Sequence, residues 1–420
     1  MPVRSQIEGS QAVARAVARC RPQVVAAYPI SPQTHIVESL ADLVRTGELD
    51  PCEYLMVESE LGAMSACIGS SAMGSRTYTA TASQGLLFMA EALFNASGLG
   101  LPIVMTVANR AIGAPINIWN DHSDSMSMRD SGWVQLFASS NQEAVDLHVQ
   151  AFRLAERLSL PVMVCMDGFV LTHAVEQVDV PEQDEVDAFL PPFTPRQQLD
   201  PAQPVSIGAM VGPEAFTEVK YLMHARQMQA LDEIPRIAAD FEAAFGRPAG
   251  GLVRPYRTDD AETVVVALGS QVGTIEVVVD QLRDEGHPVG LLDVTCFRPW
   301  PRDEVRRALA GAANVVVLEK AFAVGAGGIV GQNTRLALAG TPTVVHDVVA
   351  GLGGRPVTAA AVRGLLDDVL AGRVDPHRLH FLGLRTDLVD GQLRRDAASV
   401  PGPHAESMLR EAGVIGSGSH

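Results

Sequence analysis

Residues 24–47 read VVAAYPISPQTHIVESLADLVRTG. Val24-Val25-Ala26-Ala27 is a short apolar run of the kind a buried strand carries. Ile36, Val37, Leu40, Leu43 and Val44 then recur on one face of a helix, which Gly47 closes. Between the two lies a stiff joint. Pro29 and Pro32 fix φ on either side of Ser31 and remove two backbone donors, so one hydroxyl is held at the carboxyl end of the strand. A chain that only had to turn would need fewer constraints.

The same order of strand, polar joint and helix repeats outward from this point. YLMVES (54–59) leads into the small-residue helix ELGAMSACIGSSAMG (60–74), and RTYTATA (76–82) runs through SQG (83–85) into the helix LLFMAEALFNASG (86–98). LPIVMTVAN (101–109) ends at Arg110, and the helix NQEAVDLHVQAFRLAERL (141–158) feeds the strand PVMVCM (161–166). Apolar strands alternating with helices predict an α/β protein with a mainly parallel sheet covered on both faces. Residues 175–205 interrupt the rhythm with proline and acid and read as a linker or a strap, and 214–245 form one long helical stretch. Alternation returns in TVVVALG (263–269), PVGLLDV (288–294), NVVVLEK (314–320) and TPTVVHDVV (341–349). The expected organisation is a first parallel-sheet domain over 1–200, a helical connection over 201–254, a second parallel-sheet domain over 255–372 and an arm over 373–420. The terminal GSGSH (416–420) reads as an appended tail.

Bulk composition agrees with two cores. A chain of 420 residues exceeds the ~250–300 at which one core stops growing. With 47% hydrophobic and 19% charged residues it can bury both. The net charge is −17, lysine occurs only at 220 and 320, and no basic stripe interleaved with aromatics appears, which argues against nucleic acid as a partner. Cys20, Cys52, Cys67, Cys165 and Cys296 are scattered without a C-x-x-C, as expected of free thiols in a reducing cytoplasm and not of a metal or cluster site. Neither an apolar leader nor a run of ~18 apolar residues is present, so neither export nor a membrane span is expected.

In open parallel sheets, ligands bind outside the carboxyl ends of the strands. That rule collects Ser31, Ser59 and Glu60, Ser83-Gln84-Gly85, and Asn109-Arg110 on one rim. Each has two readings. Glu60 can be an acid placed at a helix N-terminus for the dipole, worth ~0.3–1 kcal/mol, or a catalytic carboxylate. Arg110 can be an ion-pair partner or a bidentate clamp on a carboxylate. Ser31 can be a turn hydroxyl. NIWNDHSDSMSMRDSGW (117–133) offers Asp121, His122, Asp124, Arg129 and Asp130, which read as a buried polar loop at an interface in preference to a metal site. GAGG (325–328) lacks the spacing of a phosphate cradle and reads as a tight turn.

Taken together, YPISPQT, VESELGAMSACIGSSAMG (57–74), TATASQGL (79–86), NRAIGAPINIWNDHSDSMSMRDSGW (109–133) and DGFVLTH (167–173), in that order, resemble the α subunit (PorA type) of the 2-oxoacid:acceptor oxidoreductases, the pyruvate:ferredoxin oxidoreductase family. LGSQVGTIEVVVDQLRDEG (268–286), LLDVTCFRPWP (291–301) and VVVLEK (315–320) resemble that subunit's second domain, which is similar to the C-terminal domain of transketolases. The resemblance covers roughly residues 5–370. It implies a pyrimidine-type thiamine diphosphate domain and oxidative decarboxylation of a 2-oxo acid to an acyl-CoA, with electrons passed to iron–sulfur clusters. By the same resemblance Glu60 would bond the aminopyrimidine ring nitrogen, Ser83 and Gly85 would line the cofactor, and Arg110 and Ser31 would hold the substrate's carboxylate and keto oxygen.

Two departures from the family pattern matter. Where family members commonly carry threonine after Tyr-Pro-Ile, this chain has Ser31, which keeps the hydroxyl and removes a methyl. The substrate expected is pyruvate or, given the volume the missing methyl opens, a bulkier branched or aromatic 2-oxo acid. The G-D-G diphosphate–Mg²⁺ motif is missing too, since Met166-Asp167-Gly168-Phe169 lacks the first glycine, and there are no cluster cysteines. Thiamine diphosphate should therefore be shared with a diphosphate-binding β subunit that holds the diphosphate and Mg²⁺, beside a γ subunit and a ferredoxin-like δ subunit, with the iron–sulfur clusters in the partners only, in a dimer of heteromers. Rival readings are a non-catalytic scaffolding paralogue and a non-oxidative thiamine enzyme of transketolase or synthase type.

Overall fold

The computed structural model describes residues 3–400 and 402–414, so the tail expected at 416–420 lies outside the described residues. Two sheets dominate. The larger has seven strands among the described residues, ordered Cys296–Arg298, Val134–Phe137, Val162–Asp167, Ile103–Asn109, Thr77–Thr81, Val24–Ala27 and Glu53–Met56. All neighbours pair in parallel except Cys296–Arg298, which lies antiparallel to Val134–Phe137. The second sheet runs His380–Phe381, Val344–Val349, Asn314–Glu319, Thr263–Ala267, Val289–Val294 and Val253–Tyr256. Only Val253–Tyr256 is antiparallel in it, and the sheet reaches past the expected 255–372 at both ends.

The central strands of the first sheet are covered on both faces. Every residue of Ile103–Asn109 and of Val162–Asp167 is buried, as helices on both faces of a parallel sheet require. Helices are fixed at their starts by the residues that precede them. The Ser59 hydroxyl accepts the Gly62 N–H at 3.1 Å at the head of Glu60–Ala72, and the Ser140 hydroxyl accepts the Glu143 N–H at 3.2 Å at the head of Asn141–Leu158.

Three local expectations change. The segment read as a strap is in part regular: Val175–Val180 pairs antiparallel with Val3–Glu8, and Gln183–Phe189 is helical. The helix expected over 86–98 starts at Ser83 and is interrupted at Met89, giving Ser83–Phe88 and Ala90–Leu99. The arm carries helices at Thr386–Ala397 and His404–Glu411 besides its strand on the second sheet. The long stretch is the single helix Phe216–Phe245, with Pro235 inside it. We propose that this helix separates the two domains as the sequence suggests.

The two sheets share an apolar core. Phe137 and Met163 of the first pack in one cluster with Leu292, Val294 and Phe297 of the second half of the chain. The Phe137 and Phe297 rings meet edge to face, 6.2 Å apart. No helix among the described residues is long and apolar enough to cross a membrane.

Candidate active site

From the strand Val24–Ala27 the chain moves to the edge strand Glu53–Met56, then returns across to Thr77–Thr81 on the other side. The loops leaving Val24–Ala27 and Thr77–Thr81 therefore part, and a crevice opens at the carboxyl ends of these two strands, the usual ligand position in such sheets. Buried Gln33 spans it from below. Its Nε2 donates to the Tyr28 carbonyl at 3.1 Å and to the Ala80 carbonyl at 2.6 Å, tying the Ser31 loop to the neighbouring strand.

On this rim the sequence-predicted residues come together. Arg110, 7% exposed, donates from Nη1 to the Ser31 carbonyl at 2.9 Å and from Nε to the Asn117 carbonyl at 3.1 Å. Burial lowers the proton affinity of its guanidinium, and Asp124 opposes that effect. Nη2 of Arg110 and the Ser31 hydroxyl make no hydrogen bond among the described residues, and Ser31 is exposed. The stiff joint thus fixes the backbone of Ser31 against Arg110 and leaves both functional ends open.

Glu60 heads its helix and is 8% exposed. No hydrogen bond or ion pair reaches its carboxylate among the described residues. The carboxylate lies against Gly85: a Cβ added there would meet Glu60 Oε1 at 2.5 Å and the Thr81 hydroxyl oxygen at 2.6 Å. Thr81 is fully buried and its hydroxyl has no partner either. A nearly buried carboxylate packed against a glycine, beside a buried hydroxyl, gives two polar groups that the described residues of this chain leave without hydrogen-bond partners.

Ser83, fully buried, is not directed to those two groups. Its hydroxyl bonds Gln84 Oε1 and the Ala111 carbonyl, and its N–H donates to Asp124 Oδ2 at 2.9 Å. Asp124 is the residue that sequence reasoning underrated. It also accepts from Arg110 N at 2.9 Å, Asn109 Nδ2 at 2.8 Å and Ser125 N at 2.7 Å. Burial pushes its carboxyl up to about 6 against the pull of those four donors. It joins the loops after two strands and sets where Arg110 starts. The only signal for it in sequence was one acid among several in the 117–133 loop.

The loop is buried in its middle, at 120–122 and 124–126, while Ile118, Trp119 and Asp130 are exposed, and it bonds to the second half of the chain. Asn117 Nδ2 donates to the Gly353 carbonyl at 3.1 Å, and Asp121 accepts the Gly353 N–H at 3.0 Å. His122 Nε2 lies 2.6 Å from Asp167 Oδ1, and Lys320 Nζ lies 2.6 Å from Asp167 Oδ2, which also accepts from the Ser270 hydroxyl and N–H. Burial pushes the Asp167 carboxyl up, but the Lys320 ammonium and the His122 ring outweigh it and hold the group far below the ordinary carboxylate range. Arg129 and Asp130 sit outside this network, 3.9 Å apart. The first half of GAGG turns the chain and its second half, Gly327–Gly328, pairs antiparallel with Phe322–Ala323. The helix N-terminus after it is filled by the chain itself: Glu319 accepts from Ile329, Val330 and Gly331 N–H groups at 2.8–3.1 Å.

The sequence of residues 15–238 matches the family model for the thiamine diphosphate-binding part of pyruvate flavodoxin/ferredoxin oxidoreductases, and residues 261–362 match core domain II of pyruvate:ferredoxin oxidoreductase. The chain belongs to the pyruvate:ferredoxin oxidoreductase family. Among its relatives, pyruvate synthase subunit PorA of Methanosarcina barkeri is 47% identical over 86% of this chain and 91% of its own length. The PorA of Pyrococcus horikoshii is 44% identical over 93% and 100%. Ketoisovalerate oxidoreductase subunit VorA of Pyrococcus abyssi is 39% identical over 88% and 94%. The fold is shared with the 2-oxoglutarate:ferredoxin oxidoreductase of Magnetococcus marinus, at a TM-score of 0.64 and 18% identity, covering 86% of this chain and 64% of that one. As a PorA-type chain of the family, this protein is the α subunit of a thiamine diphosphate-dependent 2-oxoacid oxidoreductase and works within a multi-subunit complex.

Proposed function

We propose that this chain supplies the pyrimidine half of a thiamine diphosphate site completed by a partner subunit. Glu60 holds the proton on the aminopyrimidine ring nitrogen, and Arg110 and Ser31 hold the 2-oxo acid. The observation that carries this reading is the Glu60 carboxylate: nearly buried, without a partner, and facing Gly85 and the orphaned Thr81 hydroxyl on the rim that also bears Arg110. Thiamine diphosphate, when bound, supplies the electron sink for decarboxylation. Arg110 presents Nη2 to the substrate carboxylate with its other nitrogens braced by the Ser31 and Asn117 carbonyls. The Ser31 hydroxyl, open at the mouth of the crevice, donates to the keto oxygen. Ser83 contributes by holding the loop through Asp124, so its part is positioning and not direct contact.

Several features support division of the site between chains. Asp167, the acid of the nearest diphosphate-like string, has its carboxylate committed to His122, Lys320 and Ser270 and is closed to a metal ion. The five cysteines are free, and four of them are buried and scattered, which suits a reducing cytoplasm and offers no cluster. Met56 at the carboxyl end of its strand, and Ile116 and Trp119 in the loop after Arg110, are all at least half exposed, apolar surface suited to the diphosphate-binding β subunit. Iron–sulfur clusters in the partner subunits, a ferredoxin-like δ subunit among them, would take the two electrons and CoA the acyl group, with a γ subunit also present. The assembly expected is a dimer of such heteromers.

The substrate proposed is a short 2-oxo acid, with room for a branch at the position vacated by the threonine methyl. The purified complex should couple consumption of pyruvate or 2-oxoisovalerate, with CoA, to acceptor reduction. The isolated chain should bind thiamine diphosphate poorly and show no turnover. Turnover by the isolated chain would overturn the division of labour.

A further inference from the structure

Away from the crevice, three segments far apart in sequence bring two imidazoles and a carboxylate together. Glu8 ends the strand Val3–Glu8, His35 stands in the first turn of the helix Thr34–Thr46, and His173 closes the loop that follows the strand Val162–Asp167. One ligating atom from each lies within 4.8 Å of the other two. His35 Nδ1 is 2.6 Å from Glu8 Oε1, and the His35 and His173 rings are 4.7 Å apart between centroids.

From this geometry we infer a structural site for a divalent transition-metal ion of the zinc type, held by Glu8, His35 and His173 with water in the open position. Two imidazoles and one carboxylate are a borderline donor set that suits zinc, cobalt or nickel, and not the all-oxygen shell of magnesium or calcium. A tetrahedral zinc ion with bonds near 2.0–2.1 Å spaces its ligands roughly 3.3 Å apart, so ligand atoms as far apart as 4.8 Å need to close by up to about 1.5 Å. That movement is available. His35 is half exposed, and His173 sits on a loop.

The surroundings prepare the rings. The Thr172 hydroxyl lies 2.7 Å from His173 Nδ1, so a bond there leaves the second ring nitrogen to carry its lone pair to a metal, the arrangement in which an outer partner orients a ligating histidine. The Glu8–His35 pair alone accounts for those two residues as an ordinary surface ion pair, but it gives His173 no role.

An ion here would staple the loop of the Asp-Gly-Phe string to the helix that follows Ser31. Gly168 in that loop is in close contact with Pro32, and the ring series His173, Phe169 and Trp119, with centroids 4.8 and 4.9 Å apart, continues to the rim. The role is structural, and it stands independently of the reaction at Glu60.

The test is calorimetric titration of the full chain, stripped with a chelator, with zinc chloride, repeated with cobalt(II) while visible absorption is followed. Expected are one saturable ion per chain, a cobalt spectrum of nitrogen–oxygen coordination, and a rise in Tm with zinc. His173→Ala and Glu8→Gln should each weaken binding at least ~10-fold and abolish the Tm rise, whereas His404→Ala, at an exposed pair with Asp396, should leave both unchanged. All three target side chains are partly exposed, so the folded state should survive the substitutions, with far-UV dichroism as the check. Unsaturable weak binding, or equal affinity in the double variant His35→Ala/His173→Ala, would overturn the site.

Discussion

The Glu60 carboxylate occupies the space that a side chain on Gly85 would need, with Oε1 2.5 Å from the position of a Cβ there. Gly85 lies in a helix with ordinary backbone angles, so its need for glycine comes from this approach and not from φ. Gly85→Ala should therefore drive Glu60 off its position with little effect on the fold. In the reconstituted complex, affinity for thiamine diphosphate and kcat should both fall at least ~10-fold while Tm moves by only a few degrees. Wild-type kcat in this variant would show that the contact has no part in the site.

Arg110→Lys keeps the charge and loses the planar fork. One ammonium cannot hold the Ser31 and Asn117 carbonyls and still face a carboxylate as a second donor. KM for the 2-oxo acid should rise on the order of 100-fold with KM for CoA unchanged, a split of about 2.7 kcal/mol. Equal increases in both constants would point to a general loss of structure.

Ser31→Thr restores a methyl at the mouth of the crevice. The ratio of kcat/KM for 2-oxoisovalerate to that for pyruvate should drop by ~10-fold, within the range one methyl group contributes in a pocket. In the unaltered enzyme a clear preference for pyruvate, untouched by the substitution, would remove Ser31 from the determinants of substrate size.

Much of this was readable from sequence because parallel strands buried on both faces leave uninterrupted apolar runs, as in Ile103–Asn109 and Val162–Asp167. The rim residues Ser31, Glu60 and Arg110 followed from the rule that such strands present their carboxyl ends to ligands. What was hidden depends on long-range contact. The strand Val175–Val180 alternates with acids and becomes regular only by pairing with Val3–Glu8. Asp124 resembled its neighbours Asp121 and Asp130, and only the fold shows that four donors converge on it. Cys296–Arg298, distant in sequence, completes the edge of the first sheet.

Acid sensitivity should arise in part from His148, far from the rim. It is fully buried, lies 2.5 Å from the Thr106 hydroxyl and 2.6 Å from the Ala144 carbonyl through its two ring nitrogens, and burial lowers its pKa to about 4. The folded value lies below the unfolded one, so as pH falls protons bind the unfolded chain first. The contribution to stability is complete above about 6.5 and is lost on the way down to about 4, amounting to at most ~3 kcal/mol. His148→Gln keeps hydrogen-bonding groups without the titration. Its urea-unfolding free energy should vary less between pH 4 and 6.5 than that of the wild type, and an unchanged slope would place the acid sensitivity elsewhere.

The most direct measurement is the single-turnover rate of 2-oxo acid decarboxylation by the complex carrying Glu60→Gln. The substitution preserves size and removes the charge that would hold a proton on the aminopyrimidine ring. The predicted result is a rate lowered at least ~100-fold, in the range for loss of an acid–base group, with subunit assembly and Tm unchanged. A variant complex that assembles normally and decarboxylates at the wild-type rate would contradict the role of Glu60 as the proton-holding carboxylate, and with it the assignment of this rim as the catalytic site.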